Sequence, residues 1–237
     1  MKNSNFEFPK IKSSRRFFIG DALSNKSSLD LPEDVLRQLK TILRSKAGDK
    51  IILIDGSGFD FIAAFDGKKA VILEKIPNKC EPERKIHLFQ SNLKKDKMEL
   101  VFQKATELGV FKFYPILSER SVKKDFNRER AEKIIKEAVE QSGRAIIPEI
   151  HEVMDFKNAL EFVQNERFKG IIADQNSKKH ISEVLKTPQM AIFIGPEGGF
   201  SENEIAEMKE SGFQSVFLCK TVLRGETAAL VASAFLV

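Results

Sequence analysis

The chain has 237 residues and a formal net charge of +5, which allows one large or two ordinary domains and favours an anionic partner. The N-terminus lacks the apolar segment of a signal peptide, and no apolar run reaches membrane-spanning length. We therefore expect a cytoplasmic protein without a membrane partner.

Cysteine and histidine are too scattered for a metal centre. Cys80 and Cys219 lack CxxC spacing, and His87, His151 and His180 lie far apart in the sequence. Since zinc sites collect such ligands at short, regular spacing, we expect no metal and no disulfide. The chain also lacks GxxxxGK[ST] and a GxGxxG after its first strand, which argues against a P-loop NTPase and a dinucleotide enzyme.

The first third of the chain predicts a small β-rich domain. A short strand is expected at Arg16–Ile19, and a 3.6-residue apolar stripe predicts a helix at about Glu33–Arg44. Turn signals separate three further strands, Lys50–Ile54, Phe59–Phe65 and Lys69–Ile76. Such a meander suits a small barrel.

Two prolines and several polar residues follow this meander and predict a linker. We therefore expect two domains, residues 1–77 and 78–237. Beyond the boundary, apolar runs alternate with helical patterns such as Asp96–Leu108 and Arg128–Gln141, which is typical of an α/β fold with a parallel sheet and crossover helices. The five predicted strands are Ile86–Gln90, Phe111–Leu117, Gly170–Ala173, Met190–Ile194 and Ser215–Cys219.

A rare string, Gly195-Pro196-Glu197-Gly198-Gly199, follows one of these strands directly. Its glycines let the main chain approach a ligand without an intervening Cβ. Ser201 and Glu204 then have the capping-box spacing that begins a helix. Strand, glycine turn and helix start in succession are where open α/β sheets bind ligands. The alternative is a tight turn with no ligand.

A second string, Leu223-Arg224-Gly225-Glu226-Thr227-Ala228-Ala229-Leu230, begins an apolar, small-residue run that reaches Val237. Such a run is typical of an enclosed helix. Arg224 and Glu226 at its start would be costly to bury without partners, which indicates a functional site at the rim of something buried. The alternative is an Arg–Glu pair that only caps the helix.

Together, the two strings resemble the signature of the RsmE family of ribosomal RNA methyltransferases, within the SPOUT class. Nearly the whole chain takes part in the resemblance, since further family motifs occur upstream in the same order. They are Lys97–Leu100, Lys104–Val110, Ser118–Ser121, Glu140–Arg144 and Pro148–Ile150. Two departures bear on cofactor contacts: Gly225 stands where the family has Thr, and Ala173-Asp174-Gln175 replaces a segment that is often Pro-rich.

The resemblance implies a C-terminal SPOUT domain, with a parallel sheet, helices on both faces and a deep trefoil knot, preceded by a PUA-like β-barrel that binds RNA. It implies methyl transfer from S-adenosylmethionine to N3 of a uridine in 16S ribosomal RNA, near the decoding site of the small ribosomal subunit. It also implies a homodimer whose subunits pack together at the pocket.

The resemblance and the chemistry assign roles to named residues. Arg224 would stabilise negative charge on the base or steer its phosphate, and Glu226 would orient Arg224 or accept the N3 proton. The expected cofactor contacts are Ile194, Gly195, Pro196, Glu197, Gly198, Gly199, Leu218, Val222, Leu223, Arg224, Thr227 and Ala228.

Basic residues at strand ends and near the N-terminus suit RNA phosphates. The expected RNA contacts are Arg15, Arg16, Lys94, Arg120, Lys123 and Arg144. Because N3 lies on the Watson–Crick edge, the target uridine must be unpaired or extruded. Two alternatives stay open: a non-catalytic RNA-binding or ribosome-assembly factor, and a SPOUT methyltransferase that acts on transfer RNA, another RNA site or a ribose oxygen.

Overall fold

The computed structural model describes residues 15–122 and 125–237, which divide into two compact units. The first contains residues 15–81 together with Val139–Ile147, and the second contains Pro82–Ala138 and Pro148–Val237. The boundary expected at residues 77 and 78 lies close to the end of the first segment. The sequence pattern gave no sign that Val139–Ile147 packs with the N-terminal unit.

Five strands form the sheet of the first unit in the order β1-β3-β4-β5-β2. They are β1 (Arg16–Phe18), β2 (Ser28–Asp30), β3 (Lys50–Ile54), β4 (Phe59–Phe65) and β5 (Lys69–Pro77). β1 pairs with β3 in parallel and the other neighbours pair antiparallel. β2 was not predicted, because its three residues show no usable alternation. The predicted helix is shorter and changes type, since α1 (Glu33–Arg37) passes into a π-helical turn (Gln38–Ile42).

Two predicted RNA contacts, Arg16 and Arg144, are buried in the first unit instead. Arg16 Nη1 and Nη2 donate to the two carboxylate oxygens of Asp60 at 2.6 and 2.8 Å. Arg144 Nε and Nη2 donate to Glu81 at 3.2 and 3.0 Å. These arginines are only 4% and 2% exposed, so neither reaches an RNA phosphate and both assignments are wrong. Removing one partner of a buried pair typically costs about 3–5 kcal/mol, which gives both arginines a structural role.

Seven strands form the sheet of the second unit, and every pairing is parallel. The order is β12-β10-β11-β6-β7-β8, with β9 also paired to β7. The strands are β6 (Lys85–Ser91), β7 (Lys112–Leu117), β8 (Glu149–Ile150), β9 (Met154–Asp155), β10 (Lys169–Ala173), β11 (Gln189–Ile194) and β12 (Gln214–Val216). The predicted α/β fold with a parallel sheet is confirmed. The two-residue strands β8 and β9 were too short to predict.

Helices alternate with these strands. They are α2 (Lys95–Leu108), α3 (Arg128–Ser142), α4 (Phe156–Asn165), a 3-10 turn (Ile181–Glu183), α5 (Glu202–Glu210) and α6 (Gly225–Leu236). α6 packs against α2, β6 and β11, as its apolar composition predicts. Because β6, β10 and β11 run in parallel, the residues after Ser91, Ala173 and Ile194 share one edge of the sheet.

No helix in residues 15–122 and 125–237 has the length and apolar character needed to cross a bilayer. Across the same two ranges, His, Cys, Asp and Glu side chains nowhere form a group of three or more that could hold a metal ion.

A buried histidine makes the stability of the second unit sensitive to pH. His87 is 3% exposed and stacks on Phe168, with ring centroids 4.0 Å apart. Its Nδ1 lies 3.2 Å from the Tyr114 hydroxyl and its Nε2 lies 3.4 Å from Gln189 Oε1. Burial, with smaller contributions from the nearby Lys112 and Lys85 charges, lowers the pKa of His87 from 6.5 to about 4.

We expect the free energy of unfolding to fall as the pH drops from about 6.5 to about 4, because the unfolded chain then binds a proton that folded His87 excludes. The loss should level off below this window and reach about 3 kcal/mol. Urea unfolding at several pH values checks this, with His87→Gln as the variant that cannot titrate. Burial lowers the pKa of His151 as well, so the variant should flatten the slope in part. An unchanged slope in His87→Gln would contradict the assignment.

Candidate functional site

A cavity of about 290 Å³ opens at the carboxyl edge of the parallel sheet. Ten of the twelve expected cofactor contacts line it: Ile194, Gly195, Pro196, Glu197, Gly198, Gly199, Leu218, Val222, Leu223 and Ala228. The other two, Arg224 and Thr227, are exposed and do not belong to the lining. The two sequence strings therefore meet at one cavity. A tight turn with no ligand would not require the second string to line the same cavity.

The cavity depends on a close main-chain turn after β11, which we call the glycine loop (residues 195–199). A Cβ on Gly195 would lie 3.0 Å from the Phe200 nitrogen and 3.1 Å from Gly199 Cα. Gly199 itself has φ +67°, and its N–H donates to the Pro196 carbonyl at 2.9 Å. Gly195 is thus required by close approach, and Gly199 by its left-handed backbone.

The expected capping box fixes the end of the glycine loop. Ser201 Oγ accepts from the Glu204 N–H at 3.3 Å, and Glu204 Oε2 accepts from the Ser201 N–H at 2.8 Å. The other carboxylate oxygen of Glu204 accepts from the Glu119 N–H at 2.8 Å. A single buried carboxylate therefore joins the start of α5 to the turn after β7, a long-range role that the local motif did not reveal.

Arg120, an expected RNA contact, lies against the glycine loop. Its Nη1 donates to the Gly198 carbonyl at 2.9 Å, and its Cδ is 3.4 Å from the position where Gly198 would carry a Cβ. The guanidinium is exposed, so its remaining N–H groups stay available to an anion. Arg120 thus supports the cavity wall from the solvent side.

The second string places its two charges in different surroundings. Arg224 is the N-cap of α6 and is exposed, with no side-chain capping hydrogen bond. Glu226 is 6% exposed, and its Oε1 lies 3.4 Å from Lys97 Nζ on α2. The carboxylate pairs with Lys97 and not with Arg224. Both the helix-capping Arg–Glu pair and the suggestion that Glu226 orients Arg224 are therefore wrong.

Gly225, the departure from the family pattern, lies where the two loops meet. A Cβ at this position would be 3.0 Å from Leu93 Cδ2 and 3.3 Å from the Gly195 carbonyl oxygen. The nearer neighbour is the end of a flexible side chain, which can shift. Glycine here accommodates the present position of Leu93 and brings the start of α6 close to the glycine loop.

Five lining residues were absent from the expected cofactor contacts: Ala173, Asp174, Gln175, Phe200 and Gly225. Asp174 is buried, and its Oδ2 accepts from Ser215 Oγ at 2.8 Å and from Lys209 Nζ at 3.4 Å. The available signal was its place directly after a predicted strand, at the edge where parallel sheets bind ligands.

The remaining expected RNA contacts have separate surroundings. Arg15 Nη1 lies 3.2 Å from Asp49 Oδ2 in the first unit. Lys94 is exposed and is the N-cap residue of α2. Lys123 lies outside the described residues. Neither Arg15 nor Lys94 lines the cavity.

Comparison with known proteins gives a consistent match. Residues 80–237 match the model of the RNA methyltransferase domain. The ribosomal RNA small subunit methyltransferase E of Mesomycoplasma hyopneumoniae is 33% identical over 220 residues, which cover 91% of this chain and 95% of the relative. The corresponding protein of Rickettsia conorii is 31% identical over 231 residues, covering 92% and 93%.

Two solved structures are similar to this chain over most of its length. The ribosomal RNA small subunit methyltransferase E of Neisseria gonorrhoeae, bound to S-adenosylmethionine, superposes with a TM-score of 0.84 at 32% identity and covers 93% of this chain and 95% of its own. A methyltransferase of Legionella pneumophila in complex with the same cofactor gives 0.78 at 31% identity, covering 92% and 95%. The fold, the cavity and these matches together show that the chain belongs to the RNA methyltransferase family.

Proposed function

We propose that this protein transfers a methyl group from S-adenosylmethionine to N3 of a uridine in the 16S ribosomal RNA of the small subunit. One observation carries the proposal: both glycine-containing strings of the sequence line a single cavity, in a chain matched almost end to end by relatives solved with S-adenosylmethionine. The name of the Neisseria gonorrhoeae relative specifies the small-subunit RNA, and the family resemblance specifies N3.

The residues of the cavity fit the cofactor. The glycine loop exposes main-chain polar groups at a place where a Cβ on Gly195 would meet backbone. Leu218 and Leu223 add an apolar wall suited to an adenine ring, and Glu197 adds a carboxylate suited to a cationic group. When bound, S-adenosylmethionine supplies an activated methyl group. The protein must then hold donor and acceptor in line and exclude water.

Arg224 and Glu226 are the proposed catalytic residues. The Arg224 guanidinium has no described side-chain cap bond, and its planar fork matches the oxygens of a uracil ring that loses its N3 proton. Glu226 is the proposed acceptor of that proton. Lys97 approaches one carboxylate oxygen of Glu226, and the other oxygen has no described partner. This asymmetry suits a carboxylate that accepts a proton on one side.

The finer architecture belongs to the same proposal. We infer a SPOUT domain with a C-terminal trefoil knot, a PUA-like first unit that grips the RNA, and a cytoplasmic homodimer that acts on the small ribosomal subunit. Arg15, Lys94 and Arg120 remain proposed RNA contacts, since all three are at least partly exposed. N3 is hidden in a base pair, so the target uridine must be presented unpaired or extruded.

A methyl-transfer assay tests the proposal. Labelled S-adenosylmethionine is incubated with small ribosomal subunits that lack the modification, and nucleosides from the digested RNA are identified by mass spectrometry. We expect a new N3-methyluridine. A different methylated nucleoside would indicate another RNA site or a ribose oxygen. Binding of RNA and cofactor without incorporation would indicate an assembly factor.

A further inference from the structure

Positive charge is concentrated in one short part of the first unit. Residues 37–50 contain five Lys or Arg and a single acidic residue, Asp49. The segment therefore carries a net charge of +4, against +5 for the whole chain. None of its five cations was among the expected RNA contacts. The members are Arg37, Lys40, Arg44, Lys46 and Lys50.

Three of these cations lie on, or directly after, one short helical segment. Arg37 ends α1, Lys40 lies in the π-helical turn and Arg44 follows two residues after it. Arg37 and Lys40 are three residues apart in this continuous helical segment, a spacing that makes side chains neighbours on a helix surface. π-helical turns are rare in proteins, and those that occur are often found at functional sites. Arg44 also has φ +49°, a left-handed conformation that non-glycine residues seldom adopt.

All five side chains are exposed, and none has a hydrogen bond or ion pair with a described residue. Asp49 does not neutralise them, because it pairs with Arg15 at 3.2 Å and accepts from the Lys46 backbone N–H at 3.1 Å. Glu33 and Asp34 lie one turn away, at the start of α1. Three other cations of the same unit have partners: Lys26 lies 3.0 Å from Asp21, Lys69 lies 3.5 Å from Asp30, and Lys75 lies over the Phe59 ring at 4.1 Å.

We propose that these five residues form a basic surface that binds the phosphate backbone of the RNA. The inference rests on the proposed function and names the part of the first unit that holds the substrate. It supplies the phosphate contacts that buried Arg16 and Arg144 cannot make. Exposed cations without an ion-pair partner release counterions when they meet phosphates, which gives sequence-independent affinity. Ile42 is the only exposed large hydrophobic described in this segment, so a membrane surface fits poorly.

Two charge-matched triple variants test the surface. Arg37→Gln/Lys40→Gln/Arg44→Gln removes three charges from it, and Lys26→Gln/Lys69→Gln/Lys75→Gln removes three engaged charges from the same unit. The probe is protein-free 16S ribosomal RNA, titrated at several salt concentrations. For the first variant we expect RNA affinity at low salt to fall at least about tenfold, and the slope of log K against log salt to fall by about 2–3. The control should keep the slope of the wild type.

The affinity for S-adenosylmethionine, measured by calorimetry, and the thermal midpoint should match the wild type in both variants. Equal losses of RNA affinity in the two variants, or no loss in the first, would overturn the basic surface. Loss of binding to phosphatidylserine vesicles with unchanged RNA affinity would overturn it in favour of a membrane surface. If the surface binds RNA but no N3-methyluridine forms in the wild type, the proposed reaction fails and the surface stands.

Discussion

Gly195→Ala should weaken the binding of S-adenosylmethionine at least about tenfold, or 1.4 kcal/mol in binding free energy. The added Cβ would lie 3.0 Å from the Phe200 nitrogen and 3.1 Å from the Gly199 carbonyl carbon and Cα. These neighbours are backbone atoms of a tight turn, so they cannot rotate away as a side chain would. The whole glycine loop must shift, and the cavity that it lines changes shape.

Gly198→Ala is the matched control, because the same methyl group then meets only a side chain. Its Cβ would lie 3.4 Å from Arg120 Cδ, an ordinary contact that a flexible arginine can relieve. We expect its cofactor affinity to stay within about twofold of the wild type, given that side-chain shifts of this size cost little. Calorimetric titration of each variant with S-adenosylmethionine measures the difference. Equal affinities in the two variants would show that the turn does not shape the cofactor site.

Glu226→Gln should lower kcat for methyl transfer by about 100- to 10,000-fold, the usual contribution of a positioned proton acceptor. The substitution keeps the shape of the side chain but removes its ability to accept the N3 proton. Its ion-pair partner Lys97 is partly exposed and also lies 3.6 Å from Asp96, so a neutral amide at Glu226 does not leave a buried charge without a partner. We therefore expect cofactor affinity and thermal midpoint to stay close to those of the wild type.

Glu202→Gln is the control for an effect of helix-end charge. Glu202 also lies in the first turn of a helix, α5, and is outside the cavity lining like Glu226, but Glu202 is exposed whereas Glu226 is buried. A carboxylate that only interacts with the helix dipole stabilises the helix by about 0.3–1 kcal/mol. This is far less than the free-energy equivalent of the expected loss in kcat. Single-turnover rates on small ribosomal subunits separate the two roles. Wild-type rates in Glu226→Gln would remove Glu226 from the reaction.

The first unit shows where sequence reasoning reached its limit. Arg15 and Arg16 are adjacent, and composition treats them alike as candidates for phosphate contact. In the fold, Arg16 is buried against Asp60, which is 44 residues away, while Arg15 stays partly exposed beside Asp49. A buried ion pair and an exposed phosphate contact use the same residue types. Only the position of the carboxylate distinguishes them.

Some features of the chain were determined by sequence alone because their signals are local. The apolar run of β11, the glycine loop and the Ser201–Glu204 capping box occupy consecutive residues, so strand, turn and helix start were all predictable. The alternation of elements also sufficed to predict the parallel sheet. Short strands such as β8 had no local pattern and escaped.

Tertiary structure alone decided which charges meet. Lys97 on α2 pairs with Glu226 on α6, and Arg120 donates to the carbonyl of Gly198, which is 78 residues later in the chain. Arg144 donates to Glu81 within the first unit. The cost of burying a charge depends on whether the fold brings a partner within hydrogen-bond distance. Sequence therefore determined the loops that line the cavity, and the fold determined which charged side chains remain free to act there.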